Sequence, residues 1–231
     1  QMCIRDRQWL GDIAHELRTP LTVALAEITA ISDGVLPLDM TTLNSLRQEI
    51  ERITRLVNDL HSLSCMDQNG LAIEPCDVDV GEAVERQCAR FKEILQQKNI
   101  AIDKAIKPKA IAYADPDRLA QVVANILDNA AKYSNSGTIV SIKVEAGDHW
   151  ATITFEDGGP GVTEETLAQL FNRLYRADPA RQRTTGGSGL GLAICKMLVE
   201  QMQGEIFAKK GARGGLLMIV RLPVGLETDK A

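Results

Sequence analysis

The chain has 231 residues, 45% of them hydrophobic and 25% charged, with a formal net charge of −5. This is the composition of a globular protein with room for one large domain or two small ones, and its mild acidity argues against the basic surface of a dedicated nucleic-acid binder. The five cysteines (Cys3, Cys65, Cys76, Cys88 and Cys195) are scattered and form no Cys-x-x-Cys pair. That pattern suits reduced thiols in a cytosolic setting and speaks against a disulfide framework or a zinc site.

No apolar run approaches the roughly 20 residues needed to span a bilayer, and the polar, mixed-charge stretch Gln1 to Arg7 has no signal-peptide character. That opening stretch fits neither a helix cap nor an apolar period, and no function is assigned to it. From there, Leu10, Ala14, Leu17, Leu21, Ala24, Ile28 and Ile31 alternate steps of four and three, the spacing of a helix seam. Asp33-Gly34-Val35-Leu36-Pro37 reads as a stop and turn, and Thr41-Thr42 can cap a second helix. This second helix carries the stricter repeat Leu43, Leu46, Ile50, Ile53, Val57, Leu60 and Leu63. Two such helices form an antiparallel hairpin. A lone hairpin buries little of its stripe, so pairing with a second copy into a dimeric four-helix bundle is expected.

The texture changes near Met66-Asp67-Gln68-Asn69-Gly70, after which strand-like and helical runs alternate. Ile100 to Ile102, Ile139 to Val144, Ala151 to Phe155 and Leu216 to Arg221 read as strands. Val80 to Gln97, Asp117 to Lys132 and Gly191 to Met202 read as helices. The mixture predicts an α+β layer, one sheet covered by helices.

Four segments carry chemistry. In Ala14-His15-Glu16-Leu17-Arg18-Thr19-Pro20, a neutral imidazole on an exposed helix face can accept a phosphoryl group; alone, such a pair is usually an ordinary solvated one. Asn125 and Asn129 lie four apart and share a helix face. Their amide oxygens are hard, neutral ligands suited to Mg²⁺, and Lys132 follows one turn later, within reach of a phosphate; the alternative is a solvated polar face. Asp157-Gly158-Gly159-Pro160-Gly161 follows a strand, so its glycines admit a flat ligand and its carboxylate can accept from an exocyclic amine. By itself the segment reads rather as a plain turn. Gly186-Gly187-Ser188-Gly189-Leu190-Gly191 opens into a helix and offers backbone N–H groups to an anion, with the spacing of neither a P-loop nor a dinucleotide fold. Ahead of it, Ala177 to Thr185 is polar and aperiodic, as a lid over a nucleotide would be, and Leu170 to Arg176 combines apolar anchors with cations.

Taken together and in this order, the segments resemble the catalytic core of sensor histidine kinases of two-component systems. The His15 segment resembles their phosphoacceptor box. The Asn125/Asn129, Asp157 and Gly187 to Gly191 segments resemble the N, G1 and G2 boxes, and Phe171 to Arg176 the F box. The likeness runs from about Trp9 to Pro223. Within the family, the Asp33-Gly34 turn and the Leu-rich second helix look closest to envelope-stress sensors. One position departs: Leu174 stands where phenylalanine is usual, which puts the packing of the lid anchor in question.

The resemblance implies a dimerisation and histidine-phosphotransfer hairpin over residues 1–66, and a Bergerat-type α/β sandwich that binds ATP over 67–231. It implies that Asn129, with Asn125, holds Mg²⁺, that Lys132 and Arg176 contact phosphates, and that Asp157, with Gly159 and Gly161, receives adenine beside Tyr133. Gly187, Gly189, Leu190 and Gly191 would line the phosphate side. His15 would attack the γ-phosphate, with Glu16 polarising it and taking its proton and Thr19 serving dephosphorylation of the partner. Adjacent helix residues do not normally face one another, so Glu16's role depends on geometry. Pro20 removes a helix hydrogen bond just beyond His15. The phosphoryl group would pass to an aspartate on a response-regulator receiver domain, and the parent protein would sit in a bacterial inner membrane with this portion cytoplasmic. Two other readings share part of the pattern: a Bergerat ATPase that does conformational work without needing His15, and a non-enzymatic dimeric scaffold with degenerate nucleotide boxes.

Overall fold

The computed structural model describes residues 2–68, 73–177 and 188–225; of 2–13, 15, 61, 62 and 64–68 it describes the backbone alone. The chain divides into two compact units, residues 1–70 and 71–231.

The first unit is an antiparallel pair of helices, α1 (Met2–Ser32) and α2 (Met40–Gln68). Helix α1 begins earlier than its apolar period: Met2 to Arg7 is helical, because no glycine or proline interrupts the chain there and a helix needs no apolar face to extend outward. The cap of α2 also differs from expectation. Asp39, rather than Thr41 or Thr42, accepts from the Thr42 N–H at 2.8 Å. A carboxylate three residues ahead of a free N–H is the stronger acceptor, and that hydrogen bond holds the Asp39 carboxyl below its usual range.

Ala24 of α1 and Leu56 of α2 are buried, as is Leu63 further along α2, and Ser45 Oγ donates across to Glu27 Oε1 at 2.8 Å. Leu56 lies outside the expected seam. Its neighbour Val57 points away and, with Leu43, Ile50, Leu21 and Ile28, forms an apolar set that the hairpin leaves exposed.

The second unit is a mixed sheet with helices packed on it. Its strands are β2 (Ala101–Ile106), β4 (Ile139–Ala146), β5 (Trp150–Glu156), β7 (Leu216–Pro223) and β6 (Glu205–Lys210), in the spatial order β2-β4-β5-β7-β6. Only β2 and β4 run parallel. Three elements escaped the reading of apolar runs: β6, the short helix α5 (Glu164–Gln169), and a separate antiparallel ribbon of β1 (Cys76–Asp79) with β3 (Ile111–Ala114). All are short, and β1 and β6 are largely exposed, so they lack the apolar run that marks a buried strand.

Strict alternation puts one face of the sheet inward. The register aligns Ile142, Phe155 and Met218 in one row and Val144, Ile153 and Val220 in the next. Each is buried to 2% exposure or less, and each such side chain contributes about 1.5–3 kcal/mol. Helices α3 (Val80–Gln97), α4 (Pro116–Tyr133) and α6 (Gly191–Gln201) complete this unit, α3 packing on α4 and α4 on α6. Leu119, Val122, Val123, Ile126 and Leu127 of α4 are buried.

Helix α4 carries the Asn125 and Asn129 pair, so its placement matters most. Asp115 is its N-cap: Oδ1 accepts from the N–H groups of Asp117 at 2.9 Å and Arg118 at 3.0 Å. Its other oxygen accepts from the N–H of Glu74 at 3.0 Å, which ties the start of the second unit to the same point. Burial alone would raise the Asp115 pKa. The three N–H donors and the Arg118 charge outweigh it and hold the carboxyl below its ordinary value of 3.8.

Asp115→Ala should therefore lower the unfolding free energy by about 1–3 kcal/mol, as cap and cross-chain bond go together; urea denaturation measures it. Because the folded pKa is depressed, this stabilisation is complete above pH 3.8 and is lost as pH falls through the lower folded value. The variant should lack that part of the acid dependence.

Candidate functional site

His15 lies on α1 and its side chain falls outside the described residues. Glu16, next to it, is half-buried, and Thr19, one turn on, is exposed. Pro20 sits inside the helix and, having no N–H, donates no helix hydrogen bond of its own. These three candidates belong to the first unit; the remainder lie in the second.

In the second unit, α4 presents its polar flank beside its buried one. Asn125 donates through Nδ2 to the carbonyl of Gly191, at 3.3 Å, joining α4 to the first residue of α6. Its Oδ1 is thereby left as the acceptor end. Asn129, one turn further, is half-buried, and its side chain makes no hydrogen bond among the described residues. Lys132 pairs with Asp128 through Nζ and Oδ2, so its ammonium is held on the flank by a partner on its own helix.

The C-terminal end of α4 meets the loop 157–161. The Asn135 N–H donates to the Gly158 carbonyl at 3.1 Å. Tyr133 is half-buried, and its carbonyl lies 3.2 Å from where a side-chain carbon on Gly159 would stand. Gly161 has φ +85°, a backbone that favours glycine, and a Cβ there would come within 2.5 Å of the Gly214 carbonyl.

Asp157 is the most strongly constrained member. It is 7% exposed, and Oδ1 accepts two backbone N–H groups at 2.9 Å, from Gly159 and from Leu216. The second carboxylate oxygen has no hydrogen bond among the described residues. Burial pushes the Asp157 pKa up; the Leu216 and Gly159 donors oppose this, and the nearby Glu156 charge adds to it. The Leu216 contact, with Gly214 and Gly215 beside it, was not foreseen. Its one signal in the sequence is the Gly-Gly pair directly before an apolar strand.

On the other side, Gly189 has φ +69° and lies against the Leu174 backbone, whose Cα and carbonyl carbon would be 3.0 and 2.9 Å from an added Cβ. The Leu174 N–H donates to the Gly189 carbonyl at 3.0 Å, and Leu174 itself takes φ +61°. Leu190 is buried at 1% exposure, and its N–H donates to Ser188 Oγ at 3.2 Å. Gly191 opens α6, and Arg176 is half-buried. Gly187 and residues 178–185 of the expected lid lie outside the described residues.

The structure thus gathers Asn125 with Gly191, Tyr133 with Gly159, Asp157 with Leu216, and Gly189 with Leu174. No cluster of three or more ionisable metal ligands occurs among the described residues. A divalent ion at the Asn125–Asn129 flank would take neutral amide oxygens from the protein and the rest of its shell from phosphate and water, which suits Mg²⁺.

Comparison with known proteins agrees with this layout. The family described as "His Kinase A (phospho-acceptor) domain" matches residues 5–69. The family described as "Histidine kinase-, DNA gyrase B-, and HSP90-like ATPase" matches residues 114–226. The signal transduction histidine-protein kinase BaeS of Escherichia coli (strain K12) is 39% identical over 223 residues, which is 96% of this chain and 47% of BaeS. The sensor protein SrrB of Staphylococcus aureus (strain NCTC 8325 / PS 47) is 30% identical over 94% of this chain and 38% of its own length. The chain therefore spans about half the length of these relatives or less. Among solved structures, the Acinetobacter baumannii histidine kinase AdeS superposes with a TM-score of 0.77 at 26% identity, covering 91% of this chain and 98% of that one.

The state of Asp157 gives a direct test. A carboxyl whose folded pKa lies above the ordinary 3.8 favours the protonated fold, so it costs stability as pH rises from 3.8 through the raised value and above it. Asp157→Asn keeps an oxygen for both N–H donors and removes the buried charge. Its melting temperature at pH 7 should exceed the parent's, with a flatter acid-side dependence, as circular dichroism melts would show.

Proposed function

Because the chain belongs to the histidine kinases, carrying their phospho-acceptor and ATPase domains, we propose that it phosphorylates itself on His15 from ATP and passes the phosphoryl group to an aspartate of a response-regulator receiver domain. The observation that carries this reading is the presence on one chain of two parts. The His15 segment lies inside the phospho-acceptor match, and a full set of asparagine, aspartate and glycine positions lies inside the ATPase match. A Bergerat ATPase doing only conformational work would need the second part and not the first.

In this reading the hairpin, residues 1–66, is the dimerisation and phosphotransfer element, and 67–231 the ATP-binding one. The exposed set Leu21, Ile28, Leu43, Ile50 and Val57 supports the assignment, since a second hairpin would bury it. ATP lies along α4. The unpaired Asp157 oxygen accepts from the exocyclic amine of adenine, with Gly159 and Gly161 letting the base approach the backbone and Tyr133 beside it. Gly189, Leu190 and Gly191 line the phosphate side at the start of α6, where N–H groups face an anion, and Gly187, outside the described residues, is assigned to the same role from the sequence. Lys132 and Arg176 neutralise phosphate charge.

Asn129, with Asn125 Oδ1, holds Mg²⁺, which when bound offsets charge on the phosphates. An imidazole nitrogen of His15 forms the N–P bond as the bond from the γ-phosphorus to its bridging oxygen breaks and ADP leaves. Glu16 takes the imidazole proton. Positioning and charge neutralisation carry such a transfer. Thr19, on the same helix face as His15, serves the reverse hydrolysis of the phosphorylated partner. Membrane anchorage belongs to the parent protein in this reading; no helix among the described residues is long and apolar enough to cross a membrane.

Incubation with γ-labelled ATP and Mg²⁺ should give acid-labile, alkali-stable label on the parent chain and none on His15→Gln. Label persisting in that variant would overturn the site. Asn129→Ala should lower the labelling rate by at least about 100-fold, the scale of losing a group that places transition-state charge, while leaving the fold intact by circular dichroism.

A further inference from the structure

We infer that the turn Gly211–Gly215, between β6 and β7, is the positioning element that sets how the Asp157 carboxylate reads a nucleobase. The inference rests on the ATP reading above and adds a residue set, distant in sequence, that this reading does not include.

Leu216, just after the turn, holds Asp157 twice. The Asp157 N–H donates to the Leu216 carbonyl at 3.0 Å, and the Leu216 N–H donates to Asp157 Oδ1 at 2.9 Å. Gly215 lies flat against the same residue: an added Cβ would stand 2.0 Å from the Asp157 carbonyl oxygen and 2.3 Å from Oδ1. Gly214 presents its carbonyl 2.5 Å from where a Cβ on Gly161 would be. One turn therefore touches both the carboxylate and the glycine loop that follows it.

The turn is fixed from its outer side as well. The Gly211 N–H donates to the Gly215 carbonyl at 2.8 Å. The Arg213 N–H donates to Glu156 Oε1 at 3.0 Å, and the Arg213 guanidinium donates to Ser141 Oγ at 3.0 Å. Ser141 and Glu156 face each other across β4 and β5. Glu156, the last residue of β5, and Asp157 directly after it thus hold the turn through two consecutive carboxylates.

The consequence concerns direction. With Oδ1 held by two N–H donors, rotation of the carboxyl group would break both bonds, and the other oxygen is the one left to accept. A base carrying an exocyclic amine satisfies it; a base carrying a carbonyl at that edge sets oxygen against oxygen. Discrimination then depends on the lock, and the lock depends on a turn built without side chains at Gly214 and Gly215.

The test is calorimetric binding of ATP and of inosine triphosphate, which replaces the amine with a carbonyl, to the full chain. Gly215→Ala should weaken ATP by about tenfold, the scale of one lost hydrogen bond with its orientation, and leave inosine triphosphate unchanged, so that the ratio of the two affinities collapses. Glu156→Ala adds no atom to the site and should lower the same ratio by a smaller factor, which keeps the test open if Gly215→Ala melts early. Adding Gly215→Ala to Asp157→Ala should cost ATP affinity nothing further. A folded variant that weakens both nucleotides equally, or that keeps the parent's ratio, would overturn the role of the turn alone. A parent chain that binds no ATP would overturn the ATP reading and this inference with it.

Discussion

The second unit depends on the way α4 divides its circumference. Leu119, Val122, Val123, Ile126 and Leu127 are buried with the inward face of the sheet, while Asn125, Asn129 and Lys132 lie on the flank beside them. The apolar face fixes the helix in place, so the polar flank needs no packing of its own to be held rigid. That economy is available because the helical period sets the two faces only a residue or two apart. The same helix is stopped at one end by the Asp115 cap and joined at the other to the Asp157 loop through Asn135 and Gly158. Asn125, Asn129, Lys132 and Tyr133 lie on it, Gly191 is bonded to it through Asn125, and the loop after Asp157 meets its C-terminal end.

Much of this was legible in the sequence because the relevant elements are long and periodic. The two helices of the hairpin, α3, α4, α6 and the three central strands each carry an apolar pattern that only one element type satisfies. The boundaries depended on chemistry that the pattern does not show. Asp39 outcompetes the threonines as a cap because a carboxylate aimed at free N–H groups is a stronger acceptor than a hydroxyl. Met2 to Arg7 is helical without an apolar face. The strands β1, β3 and β6 are short, or too exposed to alternate cleanly, and were not seen.

The site divides in the same way. Asn125, Asn129 and the glycine loop stand out because they are contiguous or share a helix face. Gly214, Gly215 and Leu216 do not, because they act by backbone groups and by the lack of a side chain, and the residue they serve is 59 positions away. Asp157 illustrates the tension that results. In the proposed reading its burial makes it selective, and the same burial raises its pKa and so works against the folded state at neutral pH. The N–H donors that relieve part of this penalty are the ones that aim the group.

Leu174 makes its demand on the loop through its backbone. With φ +61°, it occupies a region that disfavours any residue bearing a Cβ by about 1–2 kcal/mol, yet its N–H meets the Gly189 carbonyl and its own backbone fills the space that an added Cβ on Gly189 would need. The two left-handed residues interlock, so neither conformation can relax alone. The isobutyl group at this half-buried point is no part of that interlock, which is made wholly of main-chain atoms. Substitutions at this position therefore separate into two independent classes: those that alter what the loop leans on, and those that alter whether the chain can make the bend at all.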